Sequence, residues 1–501
     1  MARRGRSRRG GWEWRRHLLV VLLLAGTSVA LQFSTPTLGS VDGYFHARYA
    51  ALIRVAGLHG FPPAFPWLPL TIRSADRYSD HHMLFHILLA PFTAGDVLTG
   101  AKWASAIFGA AAFAAVYLSL VRLRVRRALW WLLALGALAP DFLYRMEMPR
   151  VQALSLVVLL IALNLALARR FAWLLPIAVV YTWLYDAFPL LFVIAGAMVV
   201  AIALCERRTE WRLLTYSSAG IAIGLLVNPY LPNNLWFIAQ HYLSKQEISE
   251  TMRVGTEWYP YPVAQWLGWG GAIAVLATAA WVAWRGRARL DANRLALLLV
   301  AAVFFVLMWR SRRFIEYAGP FILLALAATL HAWIEPHIAR LTENTQRIGA
   351  GILVVACGAS AAFAIGQLRS RPGPERYAAG AAWLAQHTSP AAIVLTPNWD
   401  DFPLLFFHNQ RNRYVIGLDP AYLAQRDAEL YRLWQQLGRG EVTPPSRVLD
   451  RFDADVVLSD RTHERFLAAL AADPAMERVY EDGDCMIYRR RGAVAVGPSG
   501  S

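Results

Sequence analysis

The chain has 501 residues, 57% of them apolar and only 17% charged, with a formal net charge of +16. So apolar a composition excludes an ordinary soluble enzyme. The surplus positive charge sits in short arginine clusters between long apolar runs, which is the signature of membrane topology rather than of nucleic-acid binding.

A basic tail, residues 1–16, precedes a first span at about 17–33. The span is read as uncleaved, because no small-x-small site stands out before Asp42. With the tail inside, the chain exits into a long outer loop, 34–97, rich in Pro, Tyr and His, with a short interfacial helix at 82–92. Further spans are expected at about 98–121, 128–140 and 151–168, with two more within 171–204 and a seventh ending near Asn228. A second outer loop, 229–262, separates these from spans at 263–284 and 295–309, a tenth returning near His331, and an eleventh at 348–366. The inner ends then carry Arg122 to Arg127, Arg169 and Arg170, Arg207 to Arg212, and Arg285 to Arg289, as the alternation demands. Cys205, Cys357 and Cys485 fall in different compartments and form no disulfide framework.

Beyond Arg369 the composition changes. A helix at 376–387, strands at 392–396 and 414–417, a helix at 422–437, and strands at 455–459 and within 476–488 predict a small outer α/β domain over 367–491. The tail 492–501 is Gly/Ser-rich. The fold expected is mostly α: a polytopic transmembrane bundle over 17–366, of about 11 spans, with a C-terminal α/β domain outside.

Polar residues gather at the outer span ends. Asp42, Tyr44, His46 and Arg48 follow span one; the acid suits metal ligation or orientation of a nucleophile, His46 and Arg48 suit a phosphate or carboxylate, and a polar segment that anchors the chain at the membrane interface is the other reading. Asp80, His81, His82 and His86 place imidazoles one helical turn apart, with metal ligation and plain hydrogen bonding both open. Asp141, Arg145, Glu147 and Arg150 crowd a short loop, where acids are functional or paired with the arginines. The loop 246–262 carries Glu250, Glu257 and Trp258, with a solvated loop and a substrate lid both open. Arg310, Arg312 and Arg313 lie outside against the charge rule, which suits a lipid phosphate. Trp399, Asp400 and Asp401 follow a strand, where they can face a ligand or cap a helix.

This constellation resembles the GT-C class of membrane glycosyltransferases, most closely the catalytic subunit of oligosaccharyltransferase. Asp42, Tyr44, His46 and Arg48 match that family's first acidic segment, Asp141 and Glu147 stand at its second, and Glu257, or Glu250, stands at its loop glutamate. Arg313 stands at its lipid-phosphate arginine. Where the family has Trp-Trp-Asp-Tyr-Gly, this chain has Asn398-Trp399-Asp400-Asp401-Phe402, followed by Arg413 and Asp419. The family's closely spaced acid pair is missing from the second motif.

The resemblance implies transfer of a sugar or glycan from a polyprenyl-phosphate-linked donor to a periplasmic protein, lipid or glycan, in a multi-pass protein of a bacterial inner membrane with its active face and C-terminal domain in the periplasm. It implies Asp42, Glu147 and Glu257 as catalytic residues. Arg312, Arg313, His46 and Arg48 would hold the donor phosphate, and Trp399, Asp400 and Asp401 the acceptor. Asp42, Glu147 and His81 would hold a divalent metal, magnesium or manganese, if one is used. Membrane lipids are the other expected partner; nucleic acid is not. A non-catalytic scaffold of the same fold and a lipid or solute transporter are the alternatives.

Overall fold

The computed structural model describes residues 3–243, 255–263 and 290–492. Numbered over these residues, the membrane-side helices are α1 (Arg3–Gln32), α2 (Asp42–Ala56), α3 (Met83–Leu89), α4 (Val97–Arg122), α5 (Ala128–Leu138), α6 (Pro140–Met146), α7 (Gln152–Leu167), α8 (Leu174–Leu184), α9 (Leu191–Glu206), α10 (Arg212–Leu226), α11 (Asn233–Leu243), α12 (Ala292–Arg310), α13 (Ile315–Arg340) and α14 (Glu343–Arg369). Six apolar helical stretches among them are long enough to cross a membrane. Each expected span coincides with an apolar helix except the one at 263–284, which lies outside the described residues, as does Glu250.

Local chemistry sets several starts. Asp96 accepts from the Thr99 amide (2.7 Å), Asp291 from Arg294 (2.8 Å) and Thr342 from Thr345 (3.2 Å), capping α4, α12 and α14. The outward faces of α1 and α14 stay uncovered, with Leu19, Leu22, Leu23, Ile352 and Val355 exposed. That is the face a bilayer would cover.

The stretch 34–97 is more structured than expected. It holds α2 as well as α3, so Asp42 opens a helix instead of sitting in a loop. Phe45 packs on Phe402 and Phe406 of the C-terminal domain (ring centroids 6.1 and 5.5 Å). The Tyr414 amide donates to the Trp67 carbonyl (2.8 Å), and the Ile72 amide to that of Tyr422 (3.0 Å). One apolar core therefore runs from the bundle through this segment into the outer domain.

The outer domain is a five-stranded sheet of order β2-β1-β3-β5-β4, with β1 (Ile393–Leu395), β2 (Arg413–Tyr414), β3 (Val456–Asp460), β4 (Met476–Glu481) and β5 (Cys485–Arg490). β1 runs parallel to β2 and β3, and β5 antiparallel to β3 and β4. The strand expected within 476–488 is a hairpin, turned where Asp482 accepts from the amides of Asp484 and Cys485. The helix expected at 422–437 is two, Ala421–Arg426 and Ala428–Gly438, because Asp427 leaves the helical path and caps the second through Glu429 and Leu430.

Candidate functional site

A cavity of about 760 Å³ opens where the bundle meets the outer domain. Its walls come from the start of α2, the α6–α7 junction, the α8–α9 turn, segment 255–258, the start of α13 and the loops after β1 and β2. Asp42 occupies the first turn of α2, where the helix dipole favours a carboxylate. Gly43 brings that turn against Pro149, whose Cγ would lie 2.3 Å from any added Cβ. This close approach sets Asp42 3.6 Å from the Arg150 guanidinium. Burial raises the Asp42 carboxyl, and Arg150 opposes it.

Glu257 is the hub of the charge network. Arg150 grips both its oxygens (3.1 and 3.3 Å) and Arg145 reaches one of them (2.9 Å). Burial disfavours its charge, but Arg150, Arg145 and Arg313 outweigh that and hold the carboxyl well below its ordinary range. Arg145 also binds the buried Glu316 (2.6 Å). The Ser311 hydroxyl donates to the Glu257 carbonyl (2.9 Å) and the Arg312 amide to that of Tyr259 (3.0 Å), which pins segment 255–259 to the turn between α12 and α13.

Arg313 faces the cavity, where it donates to the Tyr185 hydroxyl (2.8 Å) and lies 4.2 Å over the Trp258 ring. A phenol and an indole face hold a guanidinium in place without neutralising it. Arg312 is not in the cavity wall; its guanidinium turns to the Tyr259 carbonyl (3.4 Å). Arg48 is also absent from the wall, donating to the Phe407 carbonyl (2.8 Å) above that residue's ring, so it fastens α2 to the outer domain.

His46, His81 and His82 line the cavity. His81 Nδ1 lies 3.1 Å from Arg73 Nη1, and a guanidinium only donates. His81 must accept there, which leaves the proton of the neutral ring on Nε2, where a metal would need a lone pair. His82 stacks on Tyr185 (5.3 Å). Among the described residues, no group of three or more His, Cys, Asp or Glu side chains is arranged to hold a metal ion. Asp42, Glu147 and His81 are not gathered.

Glu147 accounts for much of that. It follows α6 and is fully buried, but its carboxyl turns to α1, where Ser28 Oγ (2.7 Å) and Gln32 Nε2 (2.9 Å) donate to it. Gly109 allows this seat, with the Met146 carbonyl and the Glu147 carboxyl 2.9 and 3.2 Å from where a Cβ would stand. Burial pushes the carboxyl up to about 8. The arginines expected to pair with it, Arg145 and Arg150, serve Glu257, Glu316 and Asp42 instead.

From the outer domain, Trp399 and Asp400 enter the wall and Asp401 does not. Burial and the nearby Asp42 push Asp400 up to about 6. Asp401 is buried behind the wall, accepting from Tyr377 (2.9 Å), and burial and Asp460 push it up to about 7. Sequence reasoning placed Glu316 beside the outer arginines without giving it a partner, and it missed Arg73 and Tyr185 as parts of the site's frame, since their contacts run to residues distant in the chain.

No protein-family model matches the sequence, and no curated protein matches it. Solved structures do. An archaeal oligosaccharyltransferase, AglB from Archaeoglobus fulgidus in complex with an inhibitory peptide and a dolichol-phosphate, aligns at 16% identity with a TM-score of 0.58, over 90% of this chain and 70% of that one. ArnT from Cupriavidus metallidurans aligns over 96% of this chain and 98% of that one, at 15% identity and TM-score 0.53 in the apo state. Bound to undecaprenyl phosphate it aligns over the same shares, at 16% and 0.54. At such identities the likeness is one of fold. The chain has the fold of the GT-C membrane glycosyltransferases, as its sequence led us to expect.

Proposed function

We propose that this protein transfers a sugar or glycan from a polyprenyl-phosphate-linked donor to an acceptor at the outer face of a bacterial inner membrane. The observation that carries the reading is one cavity receiving Arg313, Asp42 and Asp400 together, from the turn between α12 and α13, an early helix and the outer domain. Structural neighbours were solved with dolichol-phosphate and undecaprenyl phosphate, which supports a donor of that chemistry.

In this reading the donor phosphate lies against Arg313, whose fixed guanidinium offsets the charge that grows on the leaving phosphate. A phosphate leaves without needing strong protonation. Asp42, braced by Arg150, orients the acceptor at the anomeric carbon, and Asp400 and Trp399 bind the acceptor from the outer-domain side. Asp401 shapes the turn behind them. Glu257 and Trp258 close the cavity over the donor.

Purified protein in nanodiscs, given undecaprenyl-phosphate-linked sugars and an outer-membrane lipid or peptide extract, should release undecaprenyl phosphate and add the sugar mass to an acceptor. Asp42→Asn should abolish this while the donor still binds. Full transfer by that variant defeats the assignment. Donor binding without turnover by the wild type would leave a lipid-binding scaffold. Repeating the assay with EDTA, then with magnesium or manganese restored, reads any metal requirement.

A further inference from the structure

Behind the cavity a buried chain of three side chains ends on its wall. The Asp80 carboxylate is 2.7 Å from His86 Nδ1, and His86 Nε2 is 2.8 Å from His46 Nδ1. Asp80, His86 and His46 are 3%, 1% and 6% exposed, and of the three only His46 lines the cavity. His46 stands one helical turn after Asp42 on the same face of α2.

The direction of this chain follows from its donors and acceptors. An ionised carboxylate only accepts, so His86 presents Nδ1–H to Asp80. In a neutral ring that leaves a lone pair on His86 Nε2, which accepts from His46 Nδ1–H. The remaining nitrogen, His46 Nε2, then carries a lone pair. His81 is set the opposite way by Arg73, with its Nε2 protonated. His46 and His81, two of the histidines on this wall, therefore have opposite polarity.

Burial against Phe45 and Phe85, with the Arg150 charge nearby, holds His46 well below its usual range, so it meets a ligand as the neutral ring. The titratable groups around it are His86, His82, His81 and Arg150, with Asp42 a turn away. A neutral ring with an outward lone pair is a poor partner for the donor phosphate, the role its sequence context suggested, and a good partner for an acceptor O–H or N–H.

Resting on the transfer reaction above, we propose that His46 is the base that takes the acceptor's proton, with Asp80 and His86 as residues that position it. As the acceptor oxygen or nitrogen bonds to the anomeric carbon, the bond from that carbon to the phosphate oxygen breaks and its electron pair leaves with the polyprenyl phosphate. The acceptor's proton passes to His46 Nε2, and the imidazolium is stabilised through His86 by the Asp80 charge before releasing the proton to water. The acceptor class is thereby restricted to a hydroxyl or an amine; a carboxylate, or a phosphate that is already mostly dianionic at neutral pH, needs no such base.

The orientation is read first, with no substrate. In nanodiscs holding 15N-histidine-labelled protein, the resonance lost in His46→Gln identifies His46, and its Nε2 should show the unprotonated, pyridine-type signal. His86→Gln should release that ring into mixed tautomers. A protonated, pyrrole-type Nε2 in the wild type overturns the proposal. Activity is read second, with undecaprenyl-phosphate-linked sugar as donor. His46→Gln should lower kcat by about 10²- to 10⁴-fold with little change in donor KM. Asp80→Asn and His86→Gln should move the pH profile of kcat, which a purely structural role would not. Wild-type kcat in a folded His46→Gln protein also overturns it. If the wild type turns over no donor, the transferase reading fails, while the tautomer measurement still tests the orientation of His46.

Discussion

Burial decides what Glu147 does. Its carboxyl moves from an ordinary 4.5 up to about 8, so it is largely protonated at neutral pH. A neutral acid wedged between Ser28 and Gln32 behaves as a packing group with two hydrogen bonds. The folded state then binds a proton that the unfolded state has already lost between those two values. Stability from this group is complete below about 4.5 and falls as pH rises through about 8, by at most ~1.4 kcal/mol per pH unit. Glu147→Gln keeps the size, with the amide oxygen facing Gln32 and its NH₂ facing Ser28. We expect transfer activity within about twofold of wild type and a flatter dependence of Tm on pH from 5 to 8; a Glu147→Gln enzyme with no activity would make the acid part of the chemistry. Arg313 is the opposite case, a charge kept available. Arg313→Lys retains the charge but loses the planar fork and the contact with Trp258. A loss of roughly 1.5–3 kcal/mol, or about ten- to a hundredfold in Kd for undecaprenyl phosphate, is expected by thermal-shift titration.

The α6–α7 junction and segments 255–259 and 311–316 act as one element, because Arg145 is shared by Glu257 and Glu316. Removing Arg145 strands Glu316, 1% exposed, without its counter-charge. Arg145→Ala should therefore cost about 3–5 kcal/mol. The double replacement Arg145→Met, Glu316→Leu should regain much of that stability while donor binding stays weak. A double-mutant cycle on Tm in detergent reads both, and additive losses would show that the pair is not coupled. None of these partnerships was legible in the sequence. Spacing alone made Glu147 the natural partner of Arg145 and Arg150, since they share a short loop. The helical turn of α6 and the small residue Gly109 send that acid to α1, and a glutamate more than 100 positions away takes its place. The same limit hid α2. Its first residues read as an interfacial polar cluster, and its helical form rests on long-range packing of Phe45 against the outer domain.

At the scale of the whole molecule the sequence was far more informative, because apolar run length and arginine placement report directly on the solvent each segment meets. The run 98–121 became α4 almost unchanged, and 348–366 lies within the longer α14. The outer domain's order also came through, apart from breaks made by single aspartates such as Asp427. What periodicity could not supply was how the two parts meet, and the site lies at that meeting. The arginine clusters make a claim about sidedness that labelling from either side of the membrane tests. Cys205 is exposed at the end of α9, beside Arg207 and Arg208, on the side assigned to the cytoplasm. Cys485 is buried in the outer domain, and Cys357 lies in α14 with its thiol donating to the Leu133 carbonyl. Take a chain with Cys357 and Cys485 replaced by Ala. A membrane-impermeant maleimide should label Cys205 in inverted vesicles and not in right-side-out ones. With Cys205 also replaced, Arg411→Cys, an exposed position before β2, should label in the reverse pattern. Both sites labelling from one side would break the alternation that places Asp42, Arg313 and Asp400 on the outer face.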